Sequence, residues 1–467
     1  MTEKTNEALA DVIYHDGTII TMADEAEPVE ALAVAKGRIL ATGELAKVMA
    51  YKGADTRVVD LAGKTLLPGF IDPHSHIAGY ELFWGIPDLS SPPISDVNSI
   101  ADIQKKMRAF IDEKNIPEGT LVFASGYDDG LIAEKRRPTR QELDEISTKH
   151  PVVAMHTSQH MIVANSAALE LFGYDKDTPD PEGGVIGRDA DGELNGLLEE
   201  LALMPFLKFL PQRTMEEKLQ NLGEIQQMYA SFGITTAQDG MTMPDQFDLL
   251  REAQKRKILV LDVISYPRWQ FLDEYLDGKR KMNVDYTFPG DACEHEIMIP
   301  ERDDSDIRLQ ESDKLKVGVY ENRLKFGGIK ITADGSIQGY TAYLTKPYFD
   351  PPKGQAADYR GYEQIKQERL DKWFDAAYKD NIQILVHCNG DAAADQMIES
   401  VRKAQAKYGK KDLRPVMVHA QSARYDQVDA AAELGIIPSF FTAHTYFYGD
   451  THIYHTWARS EPLESAP

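Results

Sequence analysis

Cysteine is nearly absent. Cys293 and Cys388 are the only two in 467 residues. That is too few for a disulfide framework, and neither stands in a paired metal-ligand spacing, so a reducing compartment is the expectation. The opening run MTEKTNEALADVIYHDG has no basic stretch ahead of an apolar core, which argues against a secretory signal. No apolar run is long enough to span a bilayer. Positive charge is also short, with 51 Lys and Arg against 75 Asp and Glu and a net charge of -24. Such a chain repels nucleic acid and anionic membrane surfaces. The expected location is the cytoplasm and the expected partner a small molecule. Composition leaves a homo-oligomer open.

Apolar residues make up 42% and charged residues 27%, enough for a sizeable core. The first stretch turns often. DVIYHDGTIITM, ALAVAKGRILATG and TRVVDLAGKTLLPG are short runs rich in β-branched residues, punctuated by Asp-Gly, Lys-Gly and Ala-Gly. They predict a small antiparallel β domain over residues 1–64. The texture then changes. TLLPGFIDPHSH is an apolar run ending in polar residues, and it supplies a first barrel strand within 65–79. Further strands of this kind are GITTAQDG, ILVLDVISYP, FGGIKITADGS, IQILVHCNG, RPVMVHAQ and GIIPSFFTAH. Helical patterns such as LDKWFDAAYKDN lie between several of them. Apolar strands alternating with helices predict an α/β fold with a parallel sheet covered by helices. Polar residues at the strands' C-terminal ends point to a (β/α)8 TIM-type barrel. Residues 221–467 carry strands two to seven. The segment 80–220 is too long for a plain crossover and reads as an inserted α+β subdomain over the barrel mouth. The eighth barrel strand is absent from the chain.

The chemistry-bearing residues fall at these strand ends. His74 and His76 are two apart, so on a strand both imidazoles leave the same face. Such a pair can hold a divalent metal. Asp72 shares their parity and is placed to orient a ligand histidine. Lys330 lies between Ile329 and Ile331 in a strand. A lysine there must find an anion or lose its proton. A salt bridge to Asp334 or another acid is one solution, favoured by spacing alone; carboxylation by carbon dioxide, giving an anionic metal bridge, is the other. His387 and His419 each close a short apolar strand. A single strand-end histidine is more often structural, but four at the ends of three strands favour ligands. Asp391 falls where it caps the following helix. His444 ends the seventh strand near the mouth, with substrate contact and a plain loop position equally open.

LLPGFIDPHSH, GGIKITADGS, VHCNGD and VHAQ, in this order, resemble the amidohydrolase superfamily. The branch they resemble is amidohydrolase family 3, which includes N-substituted formamide deformylase-like enzymes. QHMIVANSAAL and GGVIGRDADGELNGLLEE look like that branch's inserted region. The resemblance runs from about residue 10 to the end. It implies a composite β-sandwich beside the barrel, with residues 1–64 its N-terminal part. It implies a metal set of His74, His76, Lys330, His387 and His419, with Lys330 carboxylated in some relatives, and places His160 against the pocket. The superfamily's eighth strand ends in a metal-binding, proton-handling aspartate that this chain does not supply, so the resemblance implies a C-terminally truncated chain.

The implied activity is hydrolysis of a non-peptide carbon–nitrogen bond of amide type. One or two divalent ions, zinc foremost, would activate water, with His387 and His444 as catalytic residues and His160 binding substrate. Two alternatives share the fold: a metal-free scaffold or binding protein, and a deaminase-type hydrolase.

Overall fold

Runs such as ADVIYHDGTI alternate apolar and polar residues, and such runs become strands with one face inward. The computed structural model describes residues 9–23, 27–157, 161–181, 184–207, 209–210, 213–268, 317–352 and 355–456. The chain divides into two compact units, Met1–Ile71 with Ala230–Thr236, and Asp72–Tyr229 with Ala237–Pro467.

In the first unit, β1 (Ala10–Ile19), β2 (Val29–Ala35), β3 (Arg38–Gly43), β4 (Lys52–Asp60) and β5 (Thr65–Leu66) form one sheet. The sequence predicts an antiparallel sheet, but this one is mixed. β2 pairs antiparallel with β1 and β3, whereas β4 and β5 both pair parallel with β1. The helical turn Leu45–Val48 crosses between β3 and β4, which lets β4 return parallel. Ile13, Ala31, Ala33 and Val48 are buried beneath it.

The second unit continues from β6 (Phe70–Ser75) into an inserted sheet of β7 (Val122–Tyr127), β8 (Val152–His156), β9 (Met161–Ala164), β10 (Gly184–Arg188) and β11 (Leu194–Glu200). Its order is β10-β11-β9-β8-β7. The helix Ile100–Lys114 packs nearby; Ser99 caps its start by accepting from the Asp102 amide, and left-handed Asn115 ends it.

β12 (Ile234–Thr242), β13 (Asp262–Pro267), β14 (Tyr320–Glu321) and β15 (Leu324–Phe326) join β6 in the order β14-β15-β13-β12-β6. β16 (Gly328–Thr332), β17 (Gln383–Cys388), β18 (Val416–His419) and β19 (Ile437–Phe440) follow, each parallel to the last. A parallel bridge from Arg268 to Lys330 connects β13 to β16. The candidate strands therefore stand side by side in chain order.

Alternation sorts their side chains. Ile329, Ile331, Ile384, Val386 and Met417 enter one core with Trp373, Phe374 and Met397 from the covering helices. Each such buried side chain contributes roughly 1.5–3 kcal/mol. Ile264, Tyr266, Leu385 and Val418 form a separate cluster on the opposite face. Lys330 and His387 share that second parity, away from the helices. Among the described residues no helix is long and apolar enough to cross a membrane.

Candidate metal centre and active site

His74 closes β6 and His76 follows it. Their rings meet edge to face with centroids 5.2 Å apart. His74 and His419 stand 5.1 Å apart, and His387 and His419 4.7 Å. His444 adds a further ring, 5.0 Å from His419. Two imidazoles bound to one ion at about 2.1 Å each place their ring centres roughly 5 Å apart. The observed spacing matches that figure.

His419 reaches this cluster by an unusual backbone. Alternation along β18 would place it with Met417 on the helix-covered face. Instead His419 and Ala420 are both left-handed, at φ 71 and 48. Such residues cost on the order of 1–3 kcal/mol each and gather at functional sites. The turn aims the ring at His74 and His387.

Burial sets the electrostatics. It lowers His74 to about 2, with the Lys330 charge and neighbouring imidazoles adding to the effect. His76 falls to about 4 for the same reasons, and His444 to about 4 through burial and the adjoining His452 and His387. His419 is held far below its ordinary range, chiefly by burial. These imidazoles are neutral at pH 7, the state a metal requires. The Nδ1 atoms of His74, His419 and His444 are buried and have no hydrogen-bond partner among the described residues. Unpartnered buried acceptors are rare and call for an explanation; here a divalent ion fits the donor set.

Lys330 is 2% exposed. Burial pulls its amine down to about 7. The salt bridge to Asp334 favoured by spacing does not form, because the Asp334 carboxylate is taken. It accepts from His387 Nδ1 at 3.1 Å and from the amides of Asn389 at 3.0 Å, Gly390 at 2.6 Å and Tyr343 at 3.0 Å. Lys330 makes no ion pair among the described residues.

Three further expectations change. Asp72 does not orient a ring; it accepts the backbone amide of His74 at 3.2 Å. Asp391 does not cap its helix. It is the first helical residue after Gly390 and holds the amide of Thr345 at 2.8 Å and the guanidinium of Arg424 at 2.9 Å. His444 does not end a strand, because β19 stops at Phe440 and His444 begins the helix Thr442–Thr456. His160 and Cys293 lie outside the described residues.

Sequence reasoning missed several neighbours. Gly240 lies where a Cβ would come within 2.9 Å of His74 Cε1 and Nδ1, so only glycine lets β12 pass the ring. Asp239 beside it is buried, and burial raises its carboxyl to about 6. It accepts from the Ala78 amide at 3.2 Å and the Thr242 hydroxyl at 2.5 Å, fixing the turn after His76. Asn389 donates to the Gly335 carbonyl at 2.8 Å and lies 3.3 Å from His387 Nε2. The Asp-Gly and Asn-Gly pairs at these strand ends, Asp239-Gly240 and Asn389-Gly390, were the available signal. Among the described residues, one trio of acidic and histidine side chains brings its ligand atoms within 4.8 Å of one another, and it is Asp128, Asp129 and His156. The strand-end imidazoles have the ring spacing of a metal shell without that atom-to-atom closeness. Ring rotation changes the second without changing the first, so the ring spacing is the firmer guide.

Comparison with known proteins identifies the family and the fold. Residues 57–465 match the model of the amidohydrolase family. The chain is 29% identical over 426 residues to the Bacillus subtilis (strain 168) protein YtcJ, named as an amidohydrolase, covering 91% of this chain and 71% of that one. It is 30% identical over 249 residues to N-substituted formamide deformylase of Arthrobacter pascens, covering 52% of this chain and 45% of that enzyme. A crystal structure of a metal-dependent hydrolase from Pyrococcus furiosus shares the α/β fold at a TM-score of 0.68 and 20% identity, covering 97% of this chain and 81% of that one. The chain belongs to the amidohydrolase family, in its family 3 branch.

Proposed function

We propose that this protein hydrolyses a non-peptide carbon–nitrogen bond of amide type, using a divalent metal held by His74, His76, Lys330, His387 and His419 at the open ends of a (β/α)8-type barrel. The observation that carries the reading is the cluster of neutral, buried imidazoles around a buried lysine that has no ion pair among the described residues. Zinc suits nitrogen and carboxylate ligands. When bound there, the ion supplies Lewis acidity and lowers the pKa of a water toward about 7.

The chain's own residues do the rest. Lys330, near 7, has a substantial fraction of free amine at neutral pH. Its nitrogen adds to the carbon of carbon dioxide and releases a proton, giving a carbamate with anionic oxygens. That exchange converts a costly buried cation into an anion able to face a metal. Asp334 accepts the Nδ1 proton of His387 and leaves Nε2 as the acceptor nitrogen of the ring, with the Asn389 amide nitrogen 3.3 Å away. His387 therefore acts as a ligand. His444, neutral and with its Nδ1 unpartnered among the described residues, is the group beside the cluster placed to take a proton from water and return it to the leaving amine.

The test is direct. Zinc- or manganese-loaded protein is assayed against N-substituted formamides, N-acyl amino acids and cyclic ureas. Turnover of one class that disappears in His74→Ala together with the metal supports the reading. Turnover that survives in a metal-free His74→Ala variant contradicts it.

A further inference from the structure

A separate group of metal-type side chains stands in the inserted sheet, sharing no residue with the strand-end cluster. β7 and β8 run parallel, and their pairing shifts by one residue at Gly126, which sits at φ 109. The shift sets Tyr127 opposite His156. Their rings meet edge to face at 5.2 Å. Asp128 and Asp129 follow at the strand end. The Asp128 carboxylate is held inward by the Gly130 amide at 2.8 Å, and Asp128 is only 8% exposed. Asp129 Oδ1 lies 3.3 Å from His156 Nε2. One oxygen from each aspartate and one imidazole nitrogen all fall within 4.8 Å of one another.

An ion pair between Asp129 and His156 accounts for two of these groups and leaves a second carboxylate turned toward the first. It also leaves the Tyr127 hydroxyl unexplained. Tyr127 is fully buried, and its hydroxyl has no hydrogen-bond partner among the described residues. Such a group costs about 1–3 kcal/mol unless something meets it. Asp129 is the charged group that acts on that hydroxyl most strongly. A bound cation carrying its own water would meet both the second carboxylate and the orphaned hydroxyl.

We propose that Asp128, Asp129 and His156 form a second divalent-cation site, distinct from the strand-end centre. Two carboxylate oxygens and one imidazole suit zinc or manganese, with water completing the shell because Asp129 is partly exposed. Its position gives it a role. Tyr448, on the Thr442–Thr456 helix, is hydrogen-bonded to Thr157 and feels the Asp128 charge. One helical turn earlier the same helix carries His444 against His419. The cation would thus brace the wall that presents His444.

Metal counting tests this. Protein is stripped with EDTA, reloaded with zinc, desalted, and analysed by plasma mass spectrometry. Wild type should hold one equivalent more than the Asp129→Asn/His156→Gln double variant. A His74→Ala/His76→Ala variant should lose strand-end metal while keeping this equivalent, which separates the two sites. Equal zinc in wild type and the Asp129→Asn/His156→Gln variant overturns the proposal. Anomalous diffraction at the zinc edge on loaded wild-type crystals removes any doubt about folding of the variants. A peak bonded to Asp129 and His156 supports the site, and a zinc-loaded crystal without one overturns it.

Discussion

Asp334 Oδ1 lies 3.1 Å from His387 Nδ1, and that contact decides which nitrogen of the ring is the acceptor. The same carboxylate gathers the amides of Asn389, Gly390 and Tyr343. One buried side chain therefore sets both the tautomer of a candidate ligand and the loop that follows it. Asp334→Asn should weaken metal binding by about 10–100-fold, because an amide cannot accept from all four donors. Competition against a chromophoric chelator measures this, and an unchanged affinity would show that Asp334 serves only the fold.

Lys330 carries a stability signature. Its amine is lowered from 10.5 to about 7 in the folded chain by burial. The charged form is thus disfavoured on folding. The cost is fully present below pH 7 and fades as pH rises toward 10.5. A shift of that size corresponds to on the order of 4–5 kcal/mol. With metal chelated, Lys330→Met should be more stable than wild type at pH 6–7, with the gain shrinking toward pH 10. Its metal content should nonetheless fall. Urea unfolding across that range checks the sign, and a Lys330→Met variant less stable than wild type at pH 6 would contradict the unpaired-lysine description.

Asp239 gives the opposite slope at lower pH. Its carboxyl rises from 3.8 to about 6 through burial. A raised acid contributes stability below about pH 4, and that contribution is lost as pH climbs through 6. The loss is on the order of 3 kcal/mol. Asp239→Asn should remove this part of the pH dependence between 4 and 7. Identical stability–pH curves for the two proteins would refute the assignment.

Gly240→Ala separates site geometry from fold. The added methyl meets His74 Cε1 and Nδ1 at 2.9 Å, so the ring must move. Metal affinity should drop by at least about tenfold, in the range seen when a ligand loses its orientation. Thermal unfolding in EDTA should change little, since β12 needs no left-handed backbone at this position. A variant that binds metal normally would show that His74 adapts freely.

Much of this was legible in the chain, for physical reasons that differ by residue. His74, Lys330 and His387 were readable because strand alternation maps position onto face. His419 was readable as a strand end, but its left-handed backbone, which breaks the alternation, leaves no trace in composition. Gly240 and Asp239 were hidden because their roles depend on which strand lies beside β6. His444 was misplaced because an apolar run followed by polar aromatics suits a strand as well as a helix start, and only packing decides. The Lys330–Asp334 pairing failed for a similar reason. Spacing brings the two close along the chain, while the folded loop gives the carboxylate four better donors. The mixed pairing of β1 with β4 and β5 likewise depends on a crossover that a local pattern cannot reveal.

The central claim is that buried imidazoles from β6, β17 and β18 surround one cation together with Lys330. Anomalous diffraction at the zinc edge from zinc-loaded crystals tests it most directly. The expected result is a peak about 2.1 Å from imidazole nitrogens of His74 and His76, with His419, His387 and Lys330 completing its surroundings. A folded, zinc-loaded protein with no peak among these residues would contradict it.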